Sequence, residues 1–109
     1  MNGFHGALPT TFANGCEYLR SLNLNGNHFD GPVPRSLANC KSMEVLDLGN
    51  NDLNGAFPQW LDSLSELQVL VLKSNRFRGP IGTFGTKAPF PKLRIFDISQ
   101  NNFTGLLQE

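Results

Sequence analysis

Asn51-Asp52-Leu53-Asn54-Gly55-Ala56-Phe57-Pro58 decides the fold, because the same phrase stands on either side of it. Upstream it reads Asn27-His28-Phe29-Asp30-Gly31-Pro32-Val33-Pro34, and downstream Asn75-Arg76-Phe77-Arg78-Gly79-Pro80-Ile81-Gly82. An earlier copy is Asn2-Gly3-Phe4-His5-Gly6-Ala7-Leu8-Pro9, and a late, decaying one starts at Asn101. Successive asparagines are 25, 24, 24 and 26 residues apart. A fixed period of this size marks a solenoid, in which each coil buries its apolar edge only against its neighbours. Such a stack presents a surface; it does not enclose a reaction.

Working outward, each phrase is preceded by a strand segment. These run Leu19-x-x-Leu22-x-Leu24-x-x-Asn27, Met43-x-x-Leu46-x-Leu48-x-x-Asn51, Leu67-x-x-Leu70-x-Leu72-x-x-Asn75 and Leu93-x-x-Phe96-x-Ile98-x-x-Asn101. The two-residue alternation turns one face inward and the other to solvent. Stacked at about 4.8 Å, the strands are expected to form one parallel sheet. The whole chain reads as a single array, with repeats near 1–18, 19–42, 43–66 and 67–92 and a partial one over 93–109. It opens and closes inside a repeat, which predicts an uncapped piece of a longer array.

The asparagine after each strand has a physical reason. The chain turns there, and an inward amide carries an acceptor and two donors for the backbone groups left unpaired. Asn27, Asn51, Asn75 and Asn101 are therefore expected to form a buried structural ladder. Phe4, Phe29, Leu53, Phe77 and Phe103 follow as a second apolar column filling the coil. A glycine comes two positions later, where the backbone needs positive φ or close approach. Val33-Pro34 and Phe57-Pro58 put a proline at a bend, and Leu37 and Leu61 then point inward from an irregular or 3-10 convex segment.

The bulk numbers exclude some functions. The 109 residues carry nine basic and nine acidic side chains, for a net charge of zero. No basic cluster suits phosphate backbones, so no nucleic-acid partner is expected. No secretory leader and no membrane-spanning run are visible. No nucleophile, base and orienting acid fall together, and no second Cys or His lies at a metal-ligand spacing. Neither catalysis, a metal nor a cofactor is expected.

The combined pattern L-x-x-L-x-L-x-x-N-x-L/F-x-G-x-h-P, with h apolar, resembles the plant-type leucine-rich repeat. The stretches Phe57-Pro58-Gln59-Trp60-Leu61 and Leu67 to Ile81 resemble the late repeats of kinase-less plant receptor-like proteins. That resemblance implies an α/β-type horseshoe with a parallel concave sheet and a 3-10 convex side. It implies recognition of a peptide, protein or glycan ligand together with a leucine-rich repeat co-receptor, in defence or development. For the parent protein it implies the extracellular face of the plasma membrane. The same repeat also suits a secreted inhibitor of cell-wall-degrading enzymes, or a truncated remnant with no activity of its own. Repeat four departs from the pattern: Gly82 replaces the proline, Thr83 to Pro91 runs long, and Gln108 stands where a proline is expected.

Four groups of residues carry the remaining expectations. Cys16 and Cys40 share a column with Leu64 and Phe90, an apolar and buried position. Stacking brings their Cα atoms to about 5 Å, within disulfide range. Parallel side chains are poorly aimed for a bond, so the preferred reading is two free thiols, with a disulfide as the alternative. His5 and His28 fall in different columns of the turn segment and read as solvated. Trp60 shares the convex column of Ser36 and reads as half-buried packing. Asn102-Phe103-Thr104 is an N-x-[ST] sequon with Asn102 pointing outward.

Ligand contacts are expected on the outward columns of the concave sheet. The first is Ser21, Val45, Val69 and Ile95, an apolar column suited to side chains of an extended ligand. The second is Asn23, Asp47, Val71 and Asp97, and the third Asn25, Gly49, Lys73 and Ser99. Asp47 and Asp97 suit a basic group on the ligand, with Lys73 as a counter-charge.

Overall fold

The computed structural model describes residues 3–8, 15–81 and 90–105. Two parallel sheets run side by side along the stack. The four-stranded sheet has the order β2 (Ser21–Asn23), β4 (Val45–Asp47), β6 (Val69–Val71) and β8 (Ile95–Asp97). Its register pairs Ser21 with Val45, Val45 with Val69 and Val69 with Ile95. A column in the sequence repeat is therefore a column on this sheet. The 3-10 turns Arg35–Asn39 and Gln59–Ser63 form the convex side, with Leu37 and Leu61 fully buried beneath them.

The second sheet corrects the expectation of a single one. It consists of β1 (His5–Ala7), β3 (His28–Gly31), β5 (Asp52–Gly55), β7 (Arg76–Pro80) and β9 (Asn102–Gly105). The apolar-x-glycine phrase that looked like a turn is thus itself a short strand. Its register is staggered against the repeat: Asp30 faces Asp52 and Asn54 faces Arg76. The same stagger sets His5 opposite His28, although they occupy different positions in the repeat. In β3, β5, β7 and β9 one apolar residue turns inward, and Phe77 and Phe103 stack with ring centroids 6.0 Å apart.

Between the sheets the chain turns on the asparagines. Asn51 Oδ1 accepts the Phe29 N–H at 3.1 Å. Its amide nitrogen donates to the carbonyls of Leu24, Leu48 and Gly49 at 3.0–3.1 Å. Asn75 and Asn101 repeat the set one and two coils on, and Asn27 makes most of it. Asn27 and Asn51 are buried, Asn75 and Asn101 half-buried. The residue just before each ladder asparagine is left-handed: Gly26 at φ 79, Asn50 at 56, Ser74 at 58 and Gln100 at 58. Gly55, at φ 92, occupies the other left-handed position, at the end of its strand, where any Cβ would be strained.

Cys16 and Cys40 are bonded to one another, with Cα atoms 5.0 Å apart, which overturns the reading as free thiols. Each cysteine stands five residues before its strand, and a Cα spacing of 5.0 Å lies inside the range a disulfide spans, so stacking in one column does not keep the sulfurs apart. Both stay buried, in one column with Leu64 and Phe90.

Burial falls off from the middle outward. Met43, Leu46, Leu48, Leu67, Leu70 and Leu72 are fully enclosed, while Leu19, Leu22 and Leu24 are half-buried. Phe96 is 44% and Phe4 58% exposed. The long fourth-repeat segment falls mainly on residues 82–89, and that expectation, like the one on Gln108, lies outside the described residues. Among the described residues no helix is long and apolar enough to cross a membrane.

Candidate functional site

The four-stranded sheet lines up the first two expected columns, while Gly49 of the third is buried. The regular register lines up Ser21, Val45, Val69 and Ile95, then Asn23, Asp47, Val71 and Asp97. Val45, Val69 and Val71 are half-buried and Ile95 is 54% exposed. Together they make an apolar strip across three coils, since strands about 4.8 Å apart set the side chains of one column beside each other. Polar groups border the strip on the side toward the asparagine turn.

That border is internally hydrogen-bonded to different extents. Asp47 Oδ1 accepts both the Asn25 side-chain amide and the Gly49 N–H, each at 3.0 Å. Asn50 in turn donates to Asn25 Oδ1 at 3.2 Å, and Asn23 Oδ1 accepts the Asn25 N–H at 3.0 Å. Gly49 is buried because this network closes over it: a Cβ there would lie 2.9 Å from Asn25 Nδ2. One oxygen of Asp47 is thus committed to the sheet itself. Asp97 accepts the Ser99 hydroxyl at 2.7 Å and the Ser99 N–H at 3.1 Å. The hydroxyl bond foremost, then the N–H and the Lys73 charge, hold its carboxyl below the ordinary carboxylate value. Both aspartates are half-buried, and each commits Oδ1 to two hydrogen bonds.

The strip takes apolar side chains, and Asp97 offers an ionised carboxylate at neutral pH to a cation. Among the described residues no group of three His, Cys, Asp or Glu side chains is placed to hold a metal ion.

Two features escaped the sequence reading. On the outer face of the five-stranded sheet, Asp52 lies 3.8 Å from His28 Nδ1 and 3.6 Å from Arg76 Nε. This inter-coil charge column was legible in principle, since residues 28, 52 and 76 recur every 24 positions. On the convex side the Arg35 guanidinium lies 5.9 Å from the Trp60 ring centroid, which explains why Trp60 is half-buried rather than projecting. The sequon residues Asn102 and Thr104 are exposed on the same face as the charge column.

The comparisons agree with this geometry. The family profile described as "Leucine rich repeat" matches residues 17–77. Receptor-like protein 50 of Arabidopsis thaliana is 58% identical over 106 residues, covering 97% of this chain and 12% of its own length. Receptor-like protein 9DC3 of Solanum pimpinellifolium is 64% identical over 100 residues, covering 92% of this chain and 12% of its own. The chain therefore spans about an eighth of the curated relatives it matches. Among solved structures, the plant peptide hormone receptor RGFR1 in complex with RGF2 superposes with a TM-score of 0.84 at 26% identity, over 93% of this chain and 16% of that one. The chain belongs to the leucine-rich repeat family, in the plant form carried by receptor-like proteins.

Proposed function

We propose that this chain is a ligand-recognition segment of a plant cell-surface receptor-like protein, and that its concave sheet holds part of an extended peptide. The apolar strip of Val45, Val69, Val71 and Ile95 carries this reading. A contiguous apolar strip that reaches solvent is a mark of a contact surface. Asp97 supplies orientation by pairing with a basic group on the peptide. The structural similarity to a peptide hormone receptor bound to its peptide supports a peptide over a glycan. The buried Cys16–Cys40 bond supports an oxidising compartment, hence the extracellular face of the plasma membrane. Assembly with a leucine-rich repeat co-receptor, and a role in defence or development, complete the reading.

The test is a binding screen of the 109-residue chain against synthetic peptides from the plant extracellular proteome. For any peptide captured, Val69→Lys and Ile95→Lys are expected to weaken binding at least about tenfold, the effect of one buried apolar contact replaced by a charge. Gln59→Lys, on the convex turn, is expected to leave it unchanged. The converse pattern would move the contact to the convex side and sink the proposal.

A further inference from the structure

We propose that His5 and His28 form a surface site for a divalent transition-metal ion of the zinc type, on the outer face of the five-stranded sheet and away from the apolar strip. They are the chain's only two histidines. The repeat does not align them: His5 is the third residue after Asn2, and His28 the first after Asn27. The stagger of the sheet nevertheless pairs them directly across β1 and β3. The His28 N–H donates to the Phe4 carbonyl at 2.6 Å, which holds that register. In parallel strands about 4.8 Å apart, paired residues stand side by side on one face. Both histidines are exposed, and the flanking Phe4 and Phe29 rings stack with centroids 6.4 Å apart. Two imidazole nitrogens on one tetrahedral zinc lie about 3.3 Å apart, given a Zn–N bond of about 2.0–2.1 Å. Side chains that start about 5 Å apart close that gap by rotation about χ1 and χ2.

Asp52 supplies the support that a metal-bound histidine needs. Its Oδ2 lies 3.8 Å from His28 Nδ1, close enough for a small side-chain rotation to make a hydrogen bond. A carboxylate on one ring nitrogen orients the imidazole and leaves the other, Nε2, to the metal. The described residues add no third direct ligand, so water fills the other two positions and the site is open and exchangeable. No thiolate competes for the ion, because the chain's two cysteines are bonded to each other. Imidazole donors favour zinc, copper or nickel over magnesium and calcium. The bound ion bridges adjacent coils and ties β1 to β3.

The full 109-residue chain, acetylated at its N-terminus to remove the α-amine as a competing donor, is titrated with zinc chloride and followed by NMR of the imidazole rings. Both rings are expected to shift together and to saturate at one zinc per chain. His5→Gln is expected to leave the His28 ring unshifted at the same zinc concentration, and His28→Gln to leave the His5 ring unshifted. Asp52→Asn is expected to weaken binding about tenfold without abolishing it, and an unchanged affinity would strike Asp52 from the site. Magnesium chloride at the same concentration is expected to shift neither ring. The wild-type titration stands by itself, so a variant that fails to fold does not obscure the result. Rings that shift independently, or not at all, overturn the proposal, as does a single-histidine variant that binds as tightly as the wild type. The assay uses no peptide, so it fails separately from the recognition reading.

Discussion

Each ladder asparagine is needed for the direction of its hydrogen bonds as well as their number. Asn51 accepts one backbone N–H and donates to three carbonyls from two coils. Asn51→Ala leaves the Phe29 N–H unpaired, while the three carbonyls keep their bonds from Asn27, Asn75 and the Gly26 N–H, so a loss of about 2 kcal/mol is expected. Asn51→Asp keeps the shape and the acceptor but has no donor, and sets a negative charge against three carbonyl oxygens. It is expected to destabilise at least as much as alanine, measured as the denaturant midpoint at pH 7. An aspartate variant close to wild type would mean that volume alone matters there. Asp97 gives a second expectation at this scale. Its carboxyl is held below the ordinary 3.8, so it contributes stability above that pH and loses it as pH falls through the lower folded value. Ser99→Ala removes the leading cause while the Ser99 N–H position is kept. NMR titration of the Asp97 carboxyl carbon is expected to move toward the ordinary value. An unchanged titration would assign the shift to the Ser99 N–H and Lys73, which the variant keeps.

The elements differ in how far they can be read from sequence. The concave strands were legible because Leu22-Asn23-Leu24 and its copies alternate and recur in an unstaggered register, so the sequence columns are the spatial ones. The second sheet was not, because β3, β5, β7 and β9 each turn a single apolar residue inward and every strand carries a glycine, a composition that reads as a turn. Its stagger also separates sequence neighbours from spatial ones, as His5 and His28 demonstrate. The disulfide was half-legible: the shared column of Cys16 and Cys40 predicted their 5.0 Å spacing, but the aim of the sulfurs depends on local χ1 angles that the repeat does not encode. The bond closes a loop with a sequence separation of 24 and ties the coil of β2 to the coil of β4. Replacing both cysteines by alanine is expected to cost about 3 kcal/mol by loss of that constraint on the unfolded chain. The measurement is thermal unfolding of the double variant, with the oxidised parent as reference. A change within error would place the bond outside the stability of the array.

For the whole molecule, a stack in which each coil touches only its neighbours has no single core, and stability is a sum of coil and interface contributions. A coil with neighbours on both sides gains two interfaces and an outer coil one. The burial gradient follows this rule: the leucines of β4 and β6 are fully enclosed, those beside β2 half-exposed, and Phe96 of β8 44% exposed. Hydrogen exchange is therefore expected to be graded. The amides of Leu48 and Leu72, which bond to the carbonyls of Val71 and Asp97, should open only in the largest unfolding events. The amides of Leu24 and Leu93 should open through fraying of the outer coils, exchanging at least about tenfold faster for each 1.4 kcal/mol of interface they lack. Fusing the adjoining repeat of a receptor-like relative onto the β8 side should slow Leu93 toward the inner rates and leave Leu24 unchanged, because nearest-neighbour coupling decays within a few coils. If all four amides instead exchange at one common rate before and after fusion, the array unfolds as a single cooperative unit. The apolar edge beside β8 would then add nothing local to its stability.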